Sequence, residues 1–358
     1  MMQLRQSSDL SEFDAFANSD LTLSQLEIEA SAMWMESLQL ESGLIPWHSG
    51  GHIDPWNHIE SVVALAIGNR EFAVRRALDG LLKLQNRDGS FCHFYLYNGV
   101  KEADRDPNVI CYLGVGMLAI ASIYGLEFVS PYSQMLIDGV NYVLSIQRND
   151  GLLPALVTPD GSEKGRPLRA ANCSIMTSLD AAIVYGEAAN FSPSLLQSWR
   201  DCLFLLRNAY IGAADEKFAA TDDWAMDWYY PVLAMAGVEG ADLQERFSSG
   251  LDRFFDKGLG IRCKASNSWY TAAETAEASI AALMIGDFER AREIYETLSR
   301  FRAHNGGYMT GIVEPQGVTF PPAEQSSYTT AAVVIASSML ARGVPFSNFT
   351  DAICSLGL

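Results

Sequence analysis

The sequence predicts an all-α chain folded as an (α/α)6 toroid, a double ring of six helical hairpins. Three observations predict it. A phrase recurs along the chain, helices with one wet face alternate with helices apolar all round, and Asp-Pro pairs open the apolar ones.

The phrase is an amphipathic stretch ending in Gln, a Gly-led turn, a short extended piece and a second helix. Clear copies are Leu38-Gln39 followed by Gly43-Leu44-Ile45-Pro46-Trp47, Leu84-Gln85 followed by Asp88-Gly89-Ser90-Phe91, and Ile146-Gln147 followed by Asp150-Gly151-Leu152-Leu153-Pro154. A weaker copy is Phe301-Arg302 followed by Gly306-Gly307-Tyr308, and two degenerate ones end near Arg207 and Phe255. Their spacing, roughly 46 to 62 residues, is that of a stacked or closed array of one supersecondary unit.

Taken in order, residues 1–22 form an N-terminal arm and residues 23–358 a single barrel domain. The first helices of the pairs fall near 24–40, 70–86, 131–148, 192–209, 241–257 and 287–304, with apolar residues at three- and four-residue steps and charges between. These are the outer helices. The second helices, such as Ser61 to Ile67, Leu113 to Ala121, Ala278 to Leu283 and Ala331 to Ala336, have no wet face and are rich in small residues, so they form the buried inner ring. Asp54-Pro55 and Asp106-Pro107 each read as an Asp N-cap followed by Pro in the first turn. Pro231 makes the fourth inner helix begin or bend near Tyr229-Tyr230.

Bulk composition narrows the function. Of 358 residues, 49% are hydrophobic, and 43 acidic against 25 basic residues give a formal charge of −18. Such a surface disfavours nucleic acid and anionic membrane. The six cysteines are scattered without metal-binding spacing and read as buried free thiols. The acidic N-terminus is unlike a secretory signal, and no run reaches the ~20 apolar residues of a membrane span. A cytoplasmic protein is expected.

In a toroid the inner helices run one way, so their N-termini ring one mouth, and polar and aromatic residues gather at these starts. They include His52, Asp54, Trp56, His58 and Glu60 at the first, Asp106 and Asn108 at the second, and Arg169 at the third. Asp222, Asp223, Asp227, Trp228 and Tyr229 stand at the fourth, Trp269, Glu274 and Glu277 at the fifth, and Tyr328 at the sixth. Convergent polar groups around an apolar concavity mark a small-molecule site. Asp227 and Asp223, flanked by Trp and bent by Pro, are the leading candidates for a general acid. Glu274 and Glu277, three apart on one helix face, are a carboxylate pair of the kind that raises one pKa. His58 with Glu60 is another possible working pair. Asp54 and Asp106 also have a purely capping role open to them, and Arg169 either holds an anionic group or pairs with the acidic rim. No cofactor is expected; a divalent metal would have to use His52, His58 and Glu60, whose spacing is poor for the purpose.

The segments Ser31 to Trp47, Gly80 to Phe91 and Gly139 to Pro154 resemble the QW-type repeat of squalene-hopene cyclases and the prenyltransferase-like superfamily, as do Gly50 to His58 and Met226 to Pro231. That resemblance implies an (α/α)6 barrel and a terpene-cyclase or prenyltransferase-like enzyme. It would take an isoprenoid or similar lipid chain, collected by transient membrane contact, and act by acid-initiated chemistry. Asp227 or Asp223 would supply the proton, with Trp56, Trp228, Tyr229 and Trp269 stabilising positive charge by cation–π contact. The Asp-x-Asp-Asp motif of the cyclases is missing; Asp222-Asp223-Trp224-Ala225-Met226-Asp227 has different spacing. The alternative is a carbohydrate-active toroid, a hydrolase, lyase or epimerase, using rim carboxylates and Trp platforms. A second alternative is a ligand-binding toroid without chemistry. An apolar tunnel would favour the lipid and an acid- and Trp-lined groove the sugar.

Overall fold

A computed structural model describes residues 21–238 and 242–357. The arm expected at residues 1–22 lies, up to residue 20, outside the described residues. Twelve helices make the double ring. The outer ones are α1 (Gln25–Leu38), α3 (Glu71–Leu82), α5 (Ser133–Ser145), α7 (Pro193–Gly212), α9 (Leu243–Phe254) and α11 (Phe288–Glu296). The inner ones are α2 (Pro55–Ile67), α4 (Leu113–Tyr124), α6 (Arg169–Ala188), α8 (Met226–Met235), α10 (Ala272–Met284) and α12 (Ser327–Leu340). Each inner helix packs on the next, and α12 packs on α2, so the ring closes. The fold is the (α/α)6 toroid that the repeat predicts.

The inner helices carry little but apolar and small side chains because neighbours surround them on every side. The stretch Pro107–Tyr124 has a mean hydropathy of 1.6, enough by length and composition to cross a membrane, yet it is mostly buried among its neighbours in the ring. Among the described residues the cysteines are unpaired, and all but Cys354 are buried.

The recurring Gln and Gly have a shared structural duty. Gln39 Nε2 donates to the Gly43 carbonyl at 2.8 Å and to Ala73 on α3 at 2.9 Å. Gln85 repeats the pattern with Gly89 at 3.0 Å and Met135 on α5 at 2.8 Å, and Gln147 with Gly151 at 2.8 Å and Cys202 on α7 at 3.1 Å. One amide thus ties its own turn to the next outer helix. The glycines sit at φ near +90°, where a Cβ would meet the carbonyls of Arg76, Asp138 and Leu205 on those same helices. In the fourth copy Gly306 meets Ala30 on α1 and its carbonyl accepts from Ser31 Oγ at 2.8 Å, which joins the last outer unit to the first.

Gly89→Ala is therefore expected to cost several kcal/mol, measured by urea unfolding, because strain at positive φ adds to a collision with fixed backbone. Gly161 has a similar φ of +88° but open space around it. There the same substitution costs only the conformational part, about 1–3 kcal/mol. Equal losses at the two positions would show that the turn does not hold the outer ring.

Asp54 and Asp106 cap their helices as the Asp-Pro pairs predict: Asp54 accepts from Asn57 N, and Asp106 from Asn108 N and Val109 N at the short helix Pro107–Cys111 before α4. Pro231 lies inside α8, which starts upstream at Met226. Lacking an N–H, Pro231 leaves the Asp227 carbonyl without its intrahelical donor. Arg246 of α9 supplies one instead, at 2.9 Å, and also reaches the Trp228 carbonyl at 3.3 Å. The helix continues because its neighbour completes it.

The extended pieces between outer and inner helices pair into short strands. β1 (Phe94–Leu96) and β2 (Gly99–Glu102) form one hairpin, and β3 (Leu156–Val157) and β4 (Glu163–Lys164) another. β5 (Phe255–Asp256), β6 (Gly260–Arg262), β7 (Trp269–Thr271), β8 (Gly311–Val313) and β9 (Val318–Thr319) make an antiparallel sheet in sequential order. β2, β4 and β7 shortly precede α4, α6 and α10, so the strands stand around the mouth where the inner helices begin.

Candidate active site

The mouth holds a cavity of about 310 Å³ whose wall includes five carboxylates, those of Asp54, Glu60, Asp106, Glu274 and Glu277. Helix geometry explains three of them. Counting from the N-caps Asp54 and Thr271, Asn57 and Glu274 occupy the third helical position and Glu60 and Glu277 the sixth. The third and sixth positions share a face, here the one turned to the axis. Trp47, Trp56, Phe94, Tyr230 and Tyr328 supply aromatic walls, with Tyr328 tilted against Trp47 at 4.9 Å and Trp56 against Tyr112 at 5.1 Å. Val109, Met226 and Ala273 form an apolar section.

Burial controls the protonation of these acids. It pushes Asp54 up to about 6 against hydrogen bonds from Asn57 and Trp47, and Asp106 up to about 7 against the N–H groups that it caps. Glu277 is pushed up to about 7, chiefly by burial; Tyr229 and Tyr230 oppose this by donating to its two oxygens, the second at 2.8 Å, while Glu274 adds repulsion. Glu60 is held well above the usual carboxylate range, first by burial and then by the charges of Glu277, Asp54 and Glu274. Among the described residues Glu60 has no hydrogen-bond partner, whereas Glu274 accepts a bond from the Cys263 thiol at 3.2 Å. The site therefore presents a carboxyl that burial and neighbouring charge keep from ionising in the usual range, and beside it Glu274, with one oxygen outside the Cys263 bond.

Beneath Glu60, Tyr230 and Glu277 only about 30 Å³ of space remains along the axis, among Phe349, Ile353 and inner-helix side chains. A short acid- and aromatic-lined bowl occupies the place where a lipid tunnel would run.

The residues singled out from sequence separate into groups. Glu274, Glu277, Trp56 and Tyr328 come together in the bowl, and Tyr229 lies behind it, bonded to Glu277. His58 does not: its ring sits in the core, Nδ1 accepting from Ile45 N at 3.1 Å and Nε2 meeting the Ala77 carbonyl at 3.1 Å. Burial lowers it to about 4, so it is neutral and structural. The trio His52, His58 and Glu60 is accordingly not assembled, and among the described residues no group of three His, Cys, Asp or Glu is placed to hold a metal. Asp223 bonds Ser266 through N–H at 3.1 Å and Oγ at 2.6 Å. Asp227 caps α6 by accepting from Ala170 N at 3.0 Å and also takes the Thr221 hydroxyl at 2.6 Å. Trp228 is stacked between Phe247 and Phe254, and Trp269 donates to the Phe320 carbonyl at 3.0 Å. Arg169 pairs with Asp215 at 2.8 Å in a separate cavity.

Glu60 was expected only as the partner of His58, and Tyr230 and Phe94 were not among the expected site residues. For Glu60 a signal existed: it is the one carboxylate in an inner helix that is otherwise nearly all apolar after its first turn.

No family model matches the chain. It is 31% identical over 336 residues to the MMP endo-(1,4)-3-O-methyl-alpha-D-mannosidase of Mycolicibacterium hassiacum, covering 93% of this chain and 91% of that protein. Solved structures of similar fold include a glycosidase variant in complex with glucose, with a TM-score of 0.66 and 11% identity over 96% of this chain and 100% of that one. Others are a D-mannose isomerase (TM-score 0.65, 10% identity, 88% and 97% of the chains) and an alpha-amylase from Clostridium perfringens (TM-score 0.65, 12% identity, 88% and 98%). At such identities these likenesses show the fold.

The mannosidase relative overturns the resemblance to terpene cyclases and prenyltransferases, and with it the isoprenoid substrate, the acid-initiated cyclisation and the membrane contact. The physical reason is visible in the Gln–Gly turn. Its residues serve to fasten outer helices to one another, a need that any toroid of helical hairpins shares, so the phrase reports architecture. The findings support the carbohydrate-active alternative.

Proposed function

The chain belongs to the family of the Mycolicibacterium hassiacum MMP endo-(1,4)-3-O-methyl-alpha-D-mannosidase, and on that premise we propose that it hydrolyses α-(1,4)-mannosidic links within a partly O-methylated glycan. The observation that carries the reading is Glu60, a buried carboxyl without a hydrogen-bond partner among the described residues, sharing an aromatic-walled bowl with Glu274 and Glu277. Glycoside hydrolysis needs one carboxyl that is protonated near neutrality and one carboxylate that meets the sugar on its other side.

In the proposed step Glu60 gives its proton to the glycosidic oxygen as the C–O bond breaks. Glu274 takes a proton from the water whose oxygen bonds to the anomeric carbon. One water is consumed and each carboxyl group changes protonation once. Glu277, held at both oxygens by Tyr229 and Tyr230, is a positioning residue that keeps the Glu60 proton in place by repulsion. Trp47, Trp56 and Tyr328 offer faces for the sugar rings.

Incubation with a 3-O-methylated α-(1,4)-mannooligosaccharide, read by mass spectrometry, is expected to give two shorter saccharides whose masses sum to substrate plus one water. An unaltered oligosaccharide in the presence of folded protein would defeat the reading.

The apolar section of Val109, Met226 and Ala273 suits a methyl ether in a site otherwise made for hydroxyls. Met226→Gln is expected to lower kcat/KM for the methylated oligosaccharide about tenfold relative to its unmethylated counterpart, the lower end of what one methyl group is worth in a fitted pocket. An unchanged ratio would place methyl recognition elsewhere.

A further inference from the structure

A second cavity, about 550 Å³, lies apart from the bowl between the start of α6, the segment 215–222, the first turn of α8 and one face of α9. Outer helices usually turn apolar side chains inward, but here α9 presents Arg246, Ser249, Gly250 and Arg253, spaced to share a face, and Arg166 and Arg169 come from the α6 side. Four guanidinium groups converge on one cavity in a chain of formal charge −18.

Their partners leave much of that charge unspent. Arg169 pairs with Asp215, whose side chain is 95% exposed. The other three reach only backbone carbonyls: Arg166 that of Glu216 at 3.4 Å, Arg246 those of Asp227 and Trp228, and Arg253 that of Asp222 at 3.1 Å. Among the described residues none of these three pairs with a carboxylate. Asp227 has both oxygens engaged, by Ala170 N and Thr221 Oγ1, and burial raises its pKa. Glu216 and Asp222 stay on the exposed rim. Each guanidinium keeps free N–H donors, and a planar fork of such donors matches the oxygens of a carboxylate or phosphate. Phe218 and Phe254, both buried, back the cavity, with the Arg169 guanidinium 4.4 Å over the first ring and that of Arg253 5.1 Å over the second. The volume exceeds what a bare ion needs.

We propose that this cavity is a second ligand site, separate from the hydrolytic bowl, that takes a small sugar bearing an oxyanion, a sugar acid or a sugar phosphate. The oxyanion sits among Arg166, Arg246 and Arg253, and Asp215 is the internal competitor that it displaces from Arg169.

Calorimetric titration of the whole protein with mannose 6-phosphate, glucuronate, inorganic phosphate and neutral mannose tests this. Saturable binding of either charged sugar, with neutral mannose inert, is expected, and the two charged sugars tell phosphate from carboxylate recognition. Arg253→Gln and Arg166→Gln each weaken binding roughly tenfold or more without changing oligosaccharide hydrolysis. Asp215→Asn tightens it by freeing Arg169. Glu274→Gln leaves it unchanged, so the result stands or falls apart from the hydrolase reading. No heat with either charged sugar, or binding that survives both arginine substitutions intact, would overturn the proposal. Saturation by phosphate alone would reduce the site to an adventitious ion only, and would overturn it equally.

Discussion

Glu274→Gln is expected to lower kcat on the methylated α-(1,4)-mannooligosaccharide by about 10²- to 10⁴-fold, the usual contribution of a positioned acid or base. KM should change little, because the amide keeps the size of the side chain and can still accept from the Cys263 thiol at the position seen for Oε1. The substitution removes a negative charge from the wall of the bowl, so the folded protein should lose no stability. Glu274 lies on the first turn of α10 with an oxygen free, which is the placement that a base for water requires. A variant retaining more than about a fifth of wild-type kcat would remove Glu274 from the reaction, since no general-base role is that small.

Glu60→Gln is the second large effect. Loss of the proton donor is expected to cost a similar factor on an oligosaccharide, and far less on a mannoside with an activated aryl leaving group, which departs without protonation. The same acid sets a pH signature. Wild-type activity should fall at alkaline pH, as Glu60 loses the proton that its burial and the charge of Glu277 retain. In Glu277→Gln one repelling charge is gone, so the Glu60 pKa drops and the alkaline limb moves to lower pH. A limb that stays in place would show that Glu60 is not the group titrating.

Stability gives an independent check on Glu60. Its folded pKa lies above the ordinary value of about 4.5, so the unfolded chain releases that proton first as pH rises. Stability associated with Glu60 is therefore full below about 4.5 and declines above it until the folded group itself ionises. Glu60→Gln should match wild type near pH 4 and surpass it in Tm at pH 8. Lower stability at pH 8 would mean that the carboxylate is satisfied in the fold by something stronger than its burial.

Architecture was legible in the chain because it is written many times. The Gln and Gly of each turn, the Asp-Pro helix starts and the apolar inner helices recur, and each copy makes the same local demand on packing. The site is written once, and its letters have two meanings. Asp54 and Asp106 are caps, as their Asp-Pro context indicates, and they line the bowl as well. Asp227 stands in a cluster of acids and indoles that looks catalytic, yet its carboxylate is occupied in capping α6, a contact between residues 57 apart in sequence. His58 has one apolar neighbour in sequence and a wholly buried place in the fold, where backbone groups of Ile45 and Ala77 satisfy both its nitrogens. The substrate is not legible in the repeat for a related reason: the phrase secures outer helices, a need that toroids acting on other substrates share.

What distinguishes the working acids in three dimensions is register. Glu60 and Glu277 sit six residues past their caps, Asn57 and Glu274 three, and that common count turns all four side chains toward the axis. Applied to the sequence, the count picks out Glu60 from the apolar run around it. Asp223, half-buried and upstream of the α8 cap, fails it.

The most direct test is a crystal structure of Glu274→Gln soaked with a methylated α-(1,4)-mannooligosaccharide. The account predicts an unbroken saccharide in the bowl, its rings against Trp47, Trp56 or Tyr328, with one glycosidic oxygen within hydrogen-bonding distance of Glu60 and the anomeric carbon turned to residue 274. A saccharide bound outside the bowl, or one whose glycosidic oxygens all lie beyond reach of Glu60, would contradict it.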